Sequence, residues 1–599
     1  MNELSPAAPT SDLGSELGTL PQWNLSDLYQ STSAPALEAD LTRAASDSKA
    51  FRQAWEGKLA TASGEALGQA IAAYDKLQDL MGRIGSYAQL VYAGNMTDPA
   101  VAQFYQTAQE RLTDIGAETI FFTLEINRIE DAALAEKLKA PALAHYRPWL
   151  DSVRSFRAHQ LSDELETMLH DKSVVGRAAW NRLFDETSAG QRFDFRGKPL
   201  TIDATLNLLT DRDGAKRKDA AKALAAGLRE RAPTYGLITN TLAKDKEIED
   251  RWRKFPRPVS SRNLANQVED KVVDALVGAV EAAYPRLSHR YYKIKAKWFG
   301  QDQLDYWDRN APLPEDSDRK IDWPQAKTIV LEAYAAFSPE LAKLGEQFFD
   351  KRWIDAPPRQ GKAPGAFAHP VTPSAHPYIL LNYYGRTRDV MTLAHELGHG
   401  VHQVLAGPQG ALMSDTPLTL AETASVFGEM LTFRALLERE KDPKRRRILI
   451  AGKVEDMLNT VVRQIAFHGF ETRLHDERRQ GELTVERIGE LWMDIQARSL
   501  GPALRFDDDY RIYWAYIPHF IHSPFYVYAY AFGDCLVNSL YAAYQAAPQG
   551  FAKKYLAMLA AGGTLRHKEL LAPFGLDAAD PKFWDRGLTM IEGLIDELE

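Results

Sequence analysis

The sequence contains a single cysteine, Cys535, among its 599 residues. One thiol cannot build an intramolecular disulfide framework or a cysteine-rich metal site, so we expect a reducing compartment. Any metal ion that this chain binds must then be held by histidine and carboxylate side chains. Cys535 itself lies in an apolar stretch, where a small buried side chain is the expected role.

An excess of basic charge and long apolar runs are also lacking. The formal net charge is -9, whereas a general polyanion binder needs a basic surface. No stretch reaches the roughly 18 apolar residues that cross a bilayer, and the first residues lack the basic start and apolar core of an export signal. We therefore expect a cytoplasmic protein that binds neither nucleic acid nor membranes, as a monomer or a small homo-oligomer.

The composition is that of a globular protein, with 45% hydrophobic and 26% charged residues. Residues 1–22 are rich in small and polar residues and predict a flexible tail. Up to about residue 190, apolar residues recur every three or four positions, which predicts helical hairpins. Alternation on both sides of Gly197 predicts a small β-hairpin. We place a domain boundary there, with an N-terminal helical domain at 23–200 and a second domain at 201–599.

A candidate metal motif lies within a predicted helix at residues 389 to about 406. Its letters are His395-Glu396-Leu397-Gly398-His399. The two histidines are one turn apart, so both imidazoles share a face and can reach one ion, while Glu396 points to an adjacent sector. A buried histidine pair held by hydrogen bonds would show the same letters, so a further ligand has to separate the two interpretations.

A second predicted helix, which starts near Pro417, supplies that ligand. Catalytic zinc takes three protein ligands and keeps one position open, and the third ligand is often a carboxylate. Glu422 and Glu429 are seven residues apart on this helix and project almost the same way. We predict Glu422 as the third ligand of one Zn²⁺ ion per chain. Glu429 suits a hydrogen bond that fixes the tautomer of a ligand imidazole, and the alternative for it is a surface carboxylate.

Two other groups compete with this set. His402 shares the face of His395, but seven helical residues separate them by about 10 Å, so both cannot bind one ion. We expect His402 to support the site or to be structural. The extended three-histidine pattern is excluded, because it needs glycine at 402 and histidine at 405. Glu471 and His475 form another one-turn pair, for which a helix-face contact is favoured over a second metal site.

These motifs, along nearly the whole chain, resemble the oligoendopeptidase F branch of the thimet oligopeptidase-like zinc peptidases. The segments that carry the resemblance are Trp23–Tyr29, Pro377–Tyr383, His395–His402, Ala421–Glu429, Ile517–Phe520 and Phe525–Tyr530. The resemblance implies a mainly α, elongated, multi-helix protein of the zincin type, with a small β element beside the metal helix and a deep substrate channel. It also implies that the substrates are oligopeptides.

The late aromatic segment carries the remaining functional residues that the resemblance implies. His519 and Tyr528 would hold the substrate and stabilise the oxyanion, and Tyr526 and His522 would bind substrate or support these residues. Relatives have a tyrosine shortly after the histidine, where this chain has His522. This departure leaves the role of His522 open.

The chemistry of the residues agrees with this resemblance. Zinc held by two neutral imidazoles and a carboxylate polarises the scissile carbonyl and lowers the pKa of its bound water, the nucleophile. Glu396, as general base, takes the water proton and returns it to the leaving amine. A phenol such as that of Tyr528 would stabilise the oxyanion by ~3 kcal/mol. The sequence therefore predicts a zinc metalloendopeptidase whose catalytic domain is 201–599.

The segment Pro377–Tyr384 is rich in β-favouring residues and predicts a strand before the metal helix. We hypothesise that an exposed edge of this strand pairs with the backbone of an extended peptide. Such pairing would give affinity with little side-chain specificity.

Two alternatives to the endopeptidase stay open. A dipeptidyl carboxypeptidase of the same superfamily would share the metal motif and require a free C-terminus in its substrate. A helical binding protein with a structural zinc would have no open coordination position. Glu396 speaks against the second alternative, because a structural site needs no base.

Overall fold

The computed structural model describes residues 16–173, 175–313, 320–363 and 365–599. Helices make up most of these residues and the strands are short, so the predicted mainly α fold is confirmed. The chain forms two compact units. The first unit comprises the described residues of 1–157, 317–439 and 547–574, and the second comprises those of 158–316, 440–546 and 575–599.

The α-helices follow one another along the whole chain and differ widely in length. In chain order they are α1 Pro35–Trp55, α2 Gly64–Gly94, α3 Pro99–Ala117, α4 Ile120–Arg128, α5 Asp131–Lys137, α6 Pro141–Ala144, α7 Arg147–Ser155, α8 Asp163–Ser173, α9 Arg177–Gly190, α10 Ile202–Asn207, α11 Gly214–Glu230, α12 Ala232–Trp252, α13 Ser260–Ala265, α14 Asp270–Ala283, α15 Ser288–Trp298, α16 Trp323–Phe337, α17 Pro339–Asp350, α18 Thr387–Ala406, α19 Leu418–Arg439, α20 Pro443–Thr460, α21 Val462–Arg478, α22 Val485–Leu500, α23 His519–His522, α24 Tyr528–Ala546, α25 Phe551–Ala560, α26 His567–Leu571 and α27 Pro581–Asp596.

Helix α2 shows how local sequence produces these elements. The Ser63 hydroxyl accepts a hydrogen bond from the Ala66 amide and caps the first turn. Leu77, Leu80 and Ile84, which recur at intervals of three and four residues, are all buried in the first unit. The spacing of the apolar residues therefore predicts both the helix and the face that packs.

Most of the predicted tail, 1–22, lies outside the described residues. In its described part Leu17 is fully buried, and the Pro21 carbonyl accepts a hydrogen bond from the Ala356 amide at 2.9 Å. The packed chain therefore begins before Trp23. The two units alternate along the chain and do not coincide with domains 23–200 and 201–599, whose boundary stays a prediction.

The strands are β1 Phe193–Phe195, β2 Lys198–Leu200, β3 Leu304–Asp305, β4 Ile354–Asp355, β5 Phe367–His369, β6 Tyr378–Leu380 and β7 Leu504–Arg505. Strands β1 and β2 pair antiparallel, which confirms the predicted hairpin. Their connection is Arg196-Gly197, and both residues have positive φ. A two-residue turn with this geometry matches the twist of the strands that it joins.

The predicted strand before the metal helix is confirmed as β6, but our hypothesis about its edge is wrong. Strand β6 is the central strand of a three-stranded sheet, with β4 parallel on one side and β5 antiparallel on the other. Both of its edges are paired, so a peptide cannot add to it. All three residues of β6 are buried, and this explains an unbroken apolar run instead of an alternating one. The small sheet packs beside α18, as predicted.

No helix in the described part of the chain is long and apolar enough to cross a membrane. The predicted elongated body and substrate channel stay predictions.

Candidate metal centre

Helices α18 and α19 of the first unit cross at a glycine. A Cβ atom at Gly398 would lie 2.4 Å from the carbonyl oxygen of Ala424 and 2.7 Å from Cα of Ser425. Only glycine allows two backbones to approach this closely. The contact brings Glu422 of α19 beside the two motif histidines of α18, so the glycine within the motif has a structural reason.

Three side chains converge at this crossing. Glu422 Oε2 lies 3.3 Å from His395 Nε2 and 3.6 Å from His399 Nε2. One ligand atom from each residue lies within 4.8 Å of the others. Tetrahedral zinc with bonds of about 2.0–2.1 Å places its ligand atoms about 3.3–3.4 Å apart. The donor set and its spacing therefore fit a zinc ion with little rearrangement.

The charges of the three side chains depend on their burial and on one another. Burial raises the pKa of Glu422, but its hydrogen bond with His395 and the charge of His399 outweigh this and lower the pKa to about 2. Burial lowers the pKa of His399 to about 4. Burial also lowers that of His395, but hydrogen bonds to Glu422 and Glu429 raise it well above its ordinary value. Metal binding would therefore displace a proton from His395, since imidazole binds metals in its neutral form.

Two further side chains hold the ligands in place. Glu429 Oε2 lies 3.2 Å from His395 Nδ1, so Nε2 is the nitrogen left to face a metal. The Ser425 hydroxyl donates a hydrogen bond of 2.7 Å to Glu422 Oε2. Ser425 was not among the predicted site residues, although its position one turn after Glu422 was a usable signal.

We expect Glu429→Ala to weaken zinc binding by about 10- to 100-fold, because His395 would lose the partner that orients its ring. Competition with a zinc chelator of known affinity measures this change. Glu438→Ala, which removes an exposed carboxylate from the same helix, is the matched control. Equal zinc affinities in the two variants would show that the contact between Glu429 and His395 does not support the site.

Glu396 is a buried carboxyl next to the ligands in sequence. Burial raises its pKa to about 7, against the charge of His395 and a hydrogen bond from the Ala368 main chain, which lower it. A group with this pKa can take up and release a proton near neutral pH. Ala368 lies in β5, and no signal in the sequence links it to the motif.

His402 lies outside the group of three ligand atoms. It is buried, and its Nε2 lies 3.3 Å from the Thr416 hydroxyl. Burial and the charge of His399 lower its pKa to about 4. The side chain is therefore a neutral imidazole of α18 that contacts the Thr416 hydroxyl.

The late aromatic segment lies in the second unit. His519 begins α23, and its Nε2 lies 3.3 Å from the Tyr530 hydroxyl. The centroid of its ring lies 6.0 Å from that of Tyr526 and 5.8 Å from that of Tyr530. Two tyrosines four residues apart therefore flank one histidine, and all three side chains are partly exposed.

The structure does not support the predicted role of Tyr528. This side chain is fully buried, and its hydroxyl accepts a hydrogen bond of 2.9 Å from Asn266 Nδ2. Burial raises its pKa. A substrate cannot reach this hydroxyl, because the start of α24 at Tyr528 turns residue 528 inward and leaves 526 and 530 on the face of His519. The corrected candidate is Tyr530, which the four-residue spacing from Tyr526 could have indicated.

His522 contacts another helix of the second unit. Its Nε2 lies 2.8 Å from Asp185 Oδ1, and its ring packs edge-on against Phe184. Its carbonyl accepts a hydrogen bond from Arg177. All three partners belong to α9, so the contacts of His522 fasten α23 to that helix.

The model of peptidase family M3 matches residues 207–590, and a model named oligopeptidase F matches residues 125–193. The chain is 27% identical to oligopeptidase PepF of Bacillus subtilis (strain 168), over 98% of this chain and 88% of that protein. It is 26% identical to an oligoendopeptidase F homolog of Lactococcus lactis, over 96% of both chains.

A solved structure has a similar fold. Oligoendopeptidase-F from Enterococcus faecium superposes with a TM-score of 0.70 at 22% identity, over 94% of this chain and 96% of that one. The resemblance to the oligoendopeptidase F branch is thereby confirmed. The match to the family M3 model covers more than half of the sequence, and this chain belongs to peptidase family M3.

Proposed function

We propose that this protein is a zinc-dependent metalloendopeptidase that hydrolyses internal peptide bonds of oligopeptides. The observation that carries the proposal is the convergence of His395, His399 and Glu422 at a spacing that suits zinc, with Glu396 on the same helix. The relatives named oligopeptidase and oligoendopeptidase F support the class of substrate. The single cysteine supports the cytoplasm as its location.

Two imidazoles and one carboxylate are ligands that suit zinc and leave a position open for catalysis. A zinc ion bound by these three side chains would polarise the scissile carbonyl and lower the pKa of a water molecule. The protein contributes the arrangement of the ligands. Glu429 and Ser425 fix the orientation of His395 and Glu422 through the hydrogen bonds described above.

Glu396 moves the proton. Its carboxylate accepts a proton from the attacking water and passes that proton to the amine that leaves. Its burial holds the pKa near neutrality, so uptake and release have similar cost. The hydrogen bond from the Ala368 main chain orients the carboxylate.

His519, Tyr526 and Tyr530 are the residues of the late segment that we assign to the peptide. A phenol or an imidazole can donate a hydrogen bond to the carbonyl oxygen as negative charge develops on it. One such oxyanion-hole donor stabilises the transition state by ~3 kcal/mol. Tyr530 and His519 already contact each other. Their partial exposure leaves them open to a ligand, in contrast to Tyr528.

The test uses two internally quenched peptides that differ only in a free or an amidated C-terminus, together with metal analysis. We expect one zinc per chain, cleavage of both peptides at an internal bond, loss of cleavage with a zinc chelator and recovery with added Zn²⁺. Cleavage of the free peptide alone would identify a dipeptidyl carboxypeptidase. A chain that holds zinc and cleaves neither peptide would be a binding protein with a structural metal.

A further inference from the structure

The turn between α23 and α24 contains a strained residue. Phe525 has a φ of +60°, in the left-handed region that a bulky side chain rarely adopts. It is fully buried, and its ring lies against His468 and His475 of α21, with centroid distances of 5.8 and 5.0 Å. Such a conformation persists only where the surrounding structure enforces it. The next residue is Tyr526, so the turn decides where the functional tyrosines point.

One peptide unit in this turn is held from both sides. The Phe525 amide donates a hydrogen bond of 2.9 Å to Glu471 Oε1 of α21. The carbonyl of the same unit, that of Pro524, accepts a hydrogen bond of 3.3 Å from Arg262 Nε of α13. Asn266, which directly follows α13, holds the Tyr528 hydroxyl. Three side chains from two neighbouring regions thus fix the segment that leads into α24.

Glu471 is unusual because its carboxyl is buried in this apolar environment. Burial raises its pKa to about 8, so the neutral acid dominates at neutral pH. Burial lowers the pKa of His468 to about 4 and that of His475 to about 3, so both rings are neutral as well. The Glu471 and His475 pair is therefore an internal support for Phe525 and takes no part in the group of metal ligands found among the described residues.

We propose that Glu471 and Arg262 are positioning residues that hold the Pro524–Phe525 peptide unit and thereby set Tyr526 and Tyr530 against His519. The inference rests on the proposed peptidase function for its kinetic consequence. Its geometric content, the orientation of Tyr530, does not depend on that function. Neither residue touches the substrate in this proposal.

The kinetic test compares Glu471→Leu, which removes the acceptor, with Glu471→Gln, which keeps an acceptor oxygen and the volume of the neutral acid. We expect Glu471→Leu to lower kcat about 10- to 100-fold, because an unpaired buried amide releases the turn. We expect Glu471→Gln to stay within about threefold of wild type. Equal losses of kcat in Glu471→Leu and Glu471→Gln would overturn the proposal, because the acceptor oxygen would then make no difference to the rate.

A double-mutant cycle separates positioning from general damage. Tyr530→Phe removes the hydroxyl that the turn is proposed to orient. Adding Glu471→Leu to the Tyr530→Phe variant is therefore expected to lower kcat by less than about threefold further. Full additivity of the two losses would contradict the proposal. The control is Glu477→Ala, which removes a carboxylate of α21 that pairs with Arg487 of α22 and is expected to leave kcat unchanged.

A fluorine spectrum reports the geometry without any activity. With 3-fluorotyrosine at position 530, Glu471→Leu and Arg262→Met are each expected to shift or broaden the ¹⁹F resonance, and Glu477→Ala to leave it in place. An unchanged resonance in Arg262→Met overturns the proposal even if Glu471→Leu does not fold. If the wild type cleaves no peptide, the proposed function fails, while the fluorine spectra still decide whether these residues orient Tyr530.

Discussion

Glu396→Gln is expected to lower kcat/KM for an internally quenched oligopeptide by about 100- to 10,000-fold, the usual contribution of a general base. Glutamine has nearly the same shape and keeps an oxygen that can accept the hydrogen bond from Ala368. It cannot take up a proton near neutral pH, whereas burial tunes the carboxyl of Glu396 to a pKa of about 7. Glu396 is not one of the three grouped ligands, so zinc content is expected to stay at the wild-type level.

The measurement pairs initial rates with zinc analysis on the same preparations. Glu346→Gln, an equivalent change at an exposed position of α17 in the same unit, is the control and is expected to be fully active. Equal cleavage rates for Glu396→Gln and wild type would show that Glu396 takes no part in the reaction. A parallel loss of zinc would instead assign Glu396 to metal binding.

The placement of His395 and His399 on one face could be predicted because helical periodicity converts sequence spacing into a shared face. Glu422 was predicted as their partner because catalytic zinc often takes a carboxylate as its third ligand. Glu429 follows Glu422 by seven residues on the same helix, so it was likewise expected to project toward the imidazoles. Periodicity places residues on one face of their own helix. The crossing of α18 and α19 at Gly398, which brings Glu422 and Glu429 to the histidines, is a tertiary contact that periodicity does not encode. The roles of these residues in catalysis stay proposals.

Other features depend on contacts that no local pattern encodes. The apolar run of β6 predicted a strand, but only its pairing with β4 and β5 shows that neither edge is free. Tyr528 and Tyr530 look equivalent in the sequence, and the residue at which α24 begins decides which of them is buried. The left-handed φ of Phe525 could not be predicted, since glycine and asparagine are the usual residues there.

Gly398→Ala is expected to weaken zinc binding more than 100-fold and to abolish peptide hydrolysis. Its new methyl group would lie 2.4 Å from the Ala424 carbonyl oxygen and 2.7 Å from Cα of Ser425. Both are backbone atoms and cannot rotate away, so α19 has to move by about 1 Å to reach ordinary contact distances. Metal sites tolerate deviations of only about 0.2 Å in ligand distance, and Glu422 moves with α19.

Gly400→Ala, two residues further along α18, provides the matched control for this prediction. Its methyl group would meet the Phe348 ring at 2.6 Å, on another side of the helix. A ring can tilt, so we expect a loss of stability of about 1–3 kcal/mol and retention of zinc. Alanine replaces glycine within α18 in both variants, so the gain in helix propensity is the same. Titration with a competing chelator and thermal unfolding separate the outcomes, and equal zinc affinity in the two variants would show that the close crossing at Gly398 does not position Glu422.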